Sequence, residues 1–557
     1  MQRLDSATVS VFVPRYFSFL QKTKNESAMT EHDDNTATTT TTSDAMGNSD
    51  IQREKVAANM EKKPPSFARR HIKCLSFVCA IVISCILVAA VVPPVLLVNR
   101  QNNPVAPPES TSTALPEQHR DPNDHPPPLR DPFNNTAQAN VYTPPLNEPF
   151  PYGKTPIRGI NLGGWLVTEP FITPSLYDQF NSSAGVIDEW TLCKALGPEE
   201  ARRQLTQHYD TFITEDDFRK IARMGFNHVR IPTGHWAIET KEDEPYVPKV
   251  AWQYLLRGVQ WARKYGLRVM IELHTAPGSQ NGWNHSGRKG EIRWLNGTHG
   301  EENANRTMRI VESMVKFFDK PAWRDVAPIF GVLNEPAIFR IHTKPVQQWY
   351  KDSYHTLRNV TQDGGPYLTY HDGFIGLDSW NGFFDTEHVY KRMFLETHMY
   401  MIFDDHLVSM SHDQQAKFPC GAWRTTLRNS MRSAAPTMVG EFSMATNDCG
   451  KYLNGVGLGT RYEGTLQEGT AVQQPVCPNC SCAHTEDWKN WDKEYKDFLN
   501  SFIEHQMDAF ETSSVGWFFW TYKTEDHINP HWDYSLGWEK GWIPQDVNNR
   551  THSCDPQ

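Results

Sequence analysis

Positive charge is in the minority in this 557-residue chain: 55 lysines and arginines face 65 acidic residues, for a net charge of −10. That balance leaves no electrostatic footprint for nucleic acid as the main partner. The sequence has no HExxH pair to hold a catalytic zinc and no glycine-rich loop to cradle phosphates. No strand-end residues have metal-ligand spacing, so neither a metal nor another cofactor is expected. The opening stretch VSVFVPRYFSFL is broken by Pro14 and Arg15 and does not read as a signal peptide. Residues 74–98 contain no charge at all.

That uncharged run organises the N-terminal part. A membrane helix needs about 20 apolar residues, and CLSFVCAIVISCILVAAVVPPVLLV supplies them. Lys62, Lys63, Arg69, Arg70 and Lys73 precede it and only Arg100 follows closely. The positive-inside rule then puts residues 1–71 in the cytoplasm, with 72–98 as a signal-anchor helix. The other reading is an anchor that is cleaved late. The expected localisation is the cell membrane, single-pass type II, with the catalytic domain extracellular. The threonine-rich run at 35–45 cannot build a core, so the tail is expected to be disordered, phosphorylation being the alternative use of its hydroxyls. Residues 101–150 carry twelve prolines and read as part of a semi-rigid stalk, 99–150. The remainder, 151–557, is long enough for one large domain.

Outside topology has consequences in the composition. Eight Asn-x-Ser/Thr triplets lie beyond the span, at Asn134, Asn181, Asn284, Asn296, Asn305, Asn359, Asn479 and Asn549, as in a glycosylated surface protein. Asn25 has the triplet on the cytoplasmic side. Cys193, Cys420, Cys449, Cys477, Cys480, Cys482 and Cys554 also lie outside, an odd number, so at least one thiol is free or intermolecular. CPNCSCAH, 477–484, has the look of a metal knuckle, but disulfides suit an oxidising compartment better.

From residue 156 onward, strand-like and helix-like stretches alternate. IRGINL, FNHVRI, LRVMIEL, PIFGVLN, YLTY, MFLETH, TMVGEF and VGWFFW read as eight strands. Thr214 to Phe226 reads as a helix opened by a Thr214/Asp217 capping box. Trp252, Leu255, Leu256, Val259 and Ala262 make one helical face. Trp488, Trp491, Tyr495, Phe498, Phe502 and Met507 suggest a long helix before the last strand. This is the pattern of an α/β protein with a TIM (β/α)8 barrel, an open doubly wound sheet being the runner-up.

Polar residues recur at the ends of these strands: Arg230, His274, Asn334-Glu335, Tyr370-His371-Asp372, His398 with Tyr400, Glu441 and Trp520. Each alone has a structural explanation, such as an ion pair or a satisfied core histidine. Together they fall on the face where barrels hold their sites. The run IFGVL stops on Asn334-Glu335-Pro336, which places an amide and an acid at a strand end. Glu335 and Glu441, on non-adjacent strands, supply the two carboxylates of glycoside hydrolysis, which stand about 5–5.5 Å apart in a retaining enzyme. Asn334 is placed to meet the sugar 2-hydroxyl.

RGINLGGWLVTEPFITPS, GFNHVRIP, ELHTAPGSQNGWNHSG, LNEP, ETHMY, GEFS and FWTYKTE, in this order, resemble glycoside hydrolase family 5, and within it the membrane-anchored fungal exo-β-1,3-glucanases. The resemblance covers roughly 150–557. It implies a retaining enzyme that releases glucose from non-reducing ends of β-1,3-glucan, with Glu335 as acid/base and Glu441 as nucleophile. It also implies that Glu169, Arg230, His274, Asn334, His398, Tyr400 and Trp520 surround the terminal glucose, and that Trp283 and Phe403 form an aromatic clamp at the entrance. It suggests a Cys420–Cys554 disulfide and a second between Cys449 and one of Cys477, Cys480 or Cys482. Glu272, Thr275, Trp283, Asn284 and Phe442 depart from the family pattern, and a glycan on Asn284 would crowd the cleft. The competing expectations are a β-1,3-glucan transglycosylase or an endo-acting glucanase built on the same pair, and a non-catalytic glucan-binding surface protein. The expected partners are β-1,3-glucan and the membrane, the protein being otherwise a monomer.

Overall fold

The computed structural model describes residues 134–555 apart from 363, 469, 470, 473 and 484. The expected tail, the span and the stalk up to residue 133 lie outside the described residues. No helix among the described residues is long and apolar enough to cross a membrane.

Eight parallel strands close into a barrel: β1 (Ile157–Asn161), β2 (His228–Thr233), β3 (Arg268–Leu273), β4 (Ile329–Gly331), β5 (Tyr367–His371), β6 (Met393–His398), β7 (Thr437–Phe442) and β8 (Gly516–Phe519). β8 pairs with β1 and with β7, so the sheet has no free edge. The runs read as strands from their apolar character are these strands, with ends shifted by a few residues. Fully parallel strands covered on both faces are near-continuously apolar, and here β2, β3, β6 and β7 are buried along their whole length.

Helices α1 (Glu215–Arg223), α2 (Val250–Lys264), α3 (Gly300–Phe318), α4 (Thr343–Thr361), α5 (Arg424–Ser433), α6 (Lys493–Glu511) and α7 (Tyr534–Lys540) are the main helices of the outer layer. The Thr214/Asp217 capping box opens α1. Leu255, Val259 and Ala262 of α2 are buried against the strands. Two expectations shift. Trp488 and Trp491 precede α6, because the Asp492 side chain accepts from the Tyr495 N–H and starts the helix there; Trp491 packs on Trp542 instead. Between β5 and β6 there is only a short 3-10 turn, Leu377–Trp380, in place of a helix.

The described end of the proline-rich stretch, 134–150, is docked. Arg268, the first residue of β3, donates to the carbonyls of Pro144, Pro145 and Glu148. Phe150 is 6% exposed and meets the edge of His228, the first residue of β2. Proline lacks a donor but keeps its carbonyl, so this segment can plug the floor of the barrel by accepting hydrogen bonds. The chain therefore enters opposite the mouth. Among the described cysteines, Cys420 pairs with Cys554, Cys449 with Cys482 and Cys477 with Cys480, which leaves Cys193 as a buried thiol.

Candidate active site

The carboxyl ends of the strands bring most of the expected residues into one hydrogen-bonded group. Arg230 of β2 is fully buried at its centre. Its guanidinium donates to Glu441 Oε1 at 2.8 Å, Glu272 Oε1 at 2.7 Å and Asn334 Oδ1 at 2.9 Å. Glu396 lies 3.3 Å away on the same nitrogen that meets Glu272. Burial pushes the Glu272 and Glu441 carboxyls above the usual carboxylate range, with Arg230 pulling both back down.

Two glycines let the strands carry this much acid. A Cβ on Gly331 would strike the Glu272 side chain, and one on Gly440 would strike the Glu396 carboxylate. Of these acids, Glu272 was noticed in the sequence only as a departure from a family pattern, and Glu396 was not singled out. For Glu272 the signal available in retrospect is an acid between Ile271 and Leu273 with Gly331 opposite it on the neighbouring strand; Glu396 faces His371 and Met438 and carries no such signal.

Glu335 follows β4 and is held in a constrained turn, with φ at +44°, in the left-handed region. That conformation costs an L-residue about 1–2 kcal/mol. The turn is fixed from the loop after β3: the Gln280 amide donates to the carbonyls of His274 and Asn334, and Asn281 donates to the carbonyl of Glu335. Neither residue stood out as functional in the sequence, since a loop amide has no signature until its partner is known. The Asn334 Nδ2 atom is buried and has no partner among the described residues, so it is free to donate to a ligand.

His398, at the end of β6, links the two expected catalytic acids. Its Nδ1 is 2.6 Å from Glu335 Oε1 and 3.4 Å from Glu441 Oε2, so those two oxygens stand no more than about 6.0 Å apart. Carboxyl pairs in retaining glycosidases stand about 5–5.5 Å apart and those in inverting enzymes about 6.5–9.5 Å. The bound of 6.0 Å falls on the retaining side. His398 is held neutral by burial and by Arg230. The Tyr400 hydroxyl donates to Glu441 Oε2 at 2.8 Å.

The two acids are therefore unequal. Glu441 accepts from Arg230 and Tyr400, both of which favour its anion. Glu335 has no lysine or arginine in ion-pair contact among the described residues; burial and then the Glu441 charge hold its carboxyl well above the usual range, with the more distant Arg230 only partly offsetting them. His285 lies 3.3 Å from Glu335 Oε2 and is itself kept neutral by burial. Environment thus sets the two apart: the neighbours of Glu441 favour its anion, and those of Glu335 favour the protonated form.

The remaining expected residues border this pair. Glu169, in the loop after β1, is 4% exposed, has an unpartnered buried Oε1, and is held protonated by burial and by Glu441. His274 bonds Glu272 at 2.9 Å and lies parallel to the Trp520 ring at 5.7 Å. Trp283 and Phe403 sit in the separate loops after β3 and β6. Trp283 meets Phe374 edge-on and Phe403 meets Tyr400. Thr275 bonds His235 and so supports the loop.

Glu335, His371 and His398 place possible metal-ligand atoms within 4.8 Å of one another. His371 Nδ1 accepts the Gly373 N–H, which puts the ring proton on Nε2. His371 is then a donor facing the group and lacks a free lone pair for a metal.

Residues 195–458 match the family model described as cellulase, glycosyl hydrolase family 5. A probable glucan 1,3-beta-glucosidase D of Neosartorya fischeri is 43% identical over 438 residues, which is 76% of this chain and 51% of that protein. The protein of the same name from Aspergillus fumigatus is 44% identical over 438 residues, with the same shares of 76% and 51%. The chain thus spans about half the length of the curated relatives it matches. Among solved structures, rutinosidase from Aspergillus niger superposes with a TM-score of 0.53 at 19% identity, covering 70% of this chain and 98% of that one. That last likeness is one of fold.

Proposed function

The chain belongs, through its barrel, to glycosyl hydrolase family 5, and from this premise we propose that it is a retaining β-glucosidase releasing glucose from the non-reducing ends of β-1,3-glucan. The observation that supports the reading is the His398 bridge, which keeps Glu335 Oε1 and Glu441 Oε2 no more than about 6.0 Å apart, below the separation of inverting pairs. The name borne by the Neosartorya and Aspergillus relatives supports the substrate.

In the first step the Glu441 carboxylate attacks the anomeric carbon as Glu335 gives its proton to the departing glycosidic oxygen. The C–O bond breaks and a glycosyl ester forms on Glu441. In the second step Glu335, now a carboxylate, takes a proton from water as that water attacks the same carbon and frees Glu441. Two inversions give net retention. Asn334 donates to the 2-hydroxyl through its unpartnered amide. Glu169, His274 and Trp520 hold the terminal glucose, and Trp283 and Phe403 offer aromatic faces to the sugar beyond it.

Laminarin digestion tests this directly. Glucose should be the first and dominant small product. Longer oligosaccharides growing at the expense of glucose would assign the protein to glycosyl transfer, and internal fragments would assign it to endo cleavage.

The protein is further proposed to be a monomer anchored by 72–98 with the barrel outside the cell. The basic cluster before an uncharged run supports this, as does the exposure of seven of the eight outside sequon asparagines, Asn284 being half-buried. Protease on intact cells should remove the barrel and spare an N-terminal tag. A protected barrel would refute that topology.

A further inference from the structure

A second cavity, of about 610 Å³, opens between the loops that follow β6 and β7. Val408 and Met410 line it from one loop and Thr446 and Asn447 from the other. The same two loops follow the strands that carry His398 and Glu441, so the cavity shares its scaffold with the catalytic group while using none of its residues. Its wall is fixed covalently: the Cys477–Cys480 disulfide lines it, and the Cys449–Cys482 disulfide ties the adjoining segment to the β7 loop. Such a preformed concavity binds without a large ordering cost.

The chemistry of the walls narrows the ligand. No lysine or arginine lines the cavity, which disfavours phosphate or carboxylate ligands. His412 is kept below its ordinary value by burial. Gln415, 2% exposed, donates its amide to the Leu407 carbonyl, and its Oε1 is left in the wall without a donor. Tyr462, held in place by its N–H to Asp448, presents a half-buried ring. An aromatic face, the acceptor oxygens of Asp492 and Glu494 and the absence of a basic side chain suit a polyhydroxylated ligand without negative charge.

We propose that this cavity is a second carbohydrate site, which holds a remote stretch of the same β-glucan while another part of the polymer occupies the catalytic pocket. The identity of the polymer rests on the proposed function. Two sites on one chain raise apparent affinity through effective concentration, so the second site matters for long substrates and is silent for short ones.

Tyr462→Ala removes the ring, and Met410→Trp fills the space by the opposite route. Both full-length variants should hydrolyse an aryl β-glucoside and laminaribiose as the unaltered protein does, which also reports that they are folded. On laminarin their KM should rise roughly tenfold with kcat unchanged, the scale of a tethered weak site. An unchanged laminarin KM in both folded variants overturns the proposal. If the unaltered protein cleaves no laminarin, the functional reading fails separately, and mobility in native gels containing laminarin decides the site. Retardation lost in both variants supports it; equal mobility in laminarin and plain gels overturns it.

Discussion

Glu335 and Glu441 have the same side chain and receive opposite tasks from their neighbours. In the proposed mechanism activity requires Glu441 as its anion and so should fall as pH drops through its pKa; it requires Glu335 protonated and so should fall as pH rises through its pKa. Burial lifts both above the ordinary carboxylate range, and Arg230 and Tyr400 keep Glu441 the lower of the two. The kcat/KM profile should therefore be a bell displaced upward from the usual carboxylate range, with its alkaline limb belonging to Glu335. With an aryl glucoside whose leaving group needs no proton, Glu335→Ala should lose that limb; survival of the limb would assign it elsewhere. The same two positions separate under azide. Glu335→Ala, which forfeits acid/base help of typically 10²–10⁴-fold, should still form the glycosyl ester, and azide should then give the β-glycosyl product. In Glu441→Ala, azide in the vacated space should give the α-product. The reverse pattern would exchange the roles. Both acids were legible in the sequence, because a carboxyl at the end of an apolar strand needs a partner or a task. The residues that make them unequal were only partly so. Arg230, His398 and Tyr400 could be named, but Glu396, Gln280 and Asn281 act through partners distant in sequence.

The strands were readable because a parallel sheet covered on both faces needs apolar runs, and each run here stops on polar residues. Helices α1 and α2 were readable from a capping box and an apolar stripe. Legibility ended where tertiary contacts decide. The aromatic period around Trp488 and Trp491 imitates a helix, yet Asp492 caps α6 after it and the two rings pack toward the C-terminal segment. The turn between β5 and β6 breaks the alternation. Residues 134–150 have the composition of a linker and the contacts of a plug, because their carbonyls satisfy Arg268. The Cys420–Cys554 bridge followed from the family resemblance, whereas the Cys449 partner among three closely spaced cysteines needed coordinates.

Across the described barrel, residues 134–150 dock at the floor and the mouth holds the charged group, so the two lie at opposite ends of the same eight strands. In the proposed mechanism the spacing and inequality of one pair of acids fix the stereochemistry of the product. Proton NMR of laminarin hydrolysis, recorded before mutarotation equilibrates the sugar, reads that stereochemistry directly: the account predicts that glucose appears first as the β-anomer, and glucose appearing first as the α-anomer would contradict it.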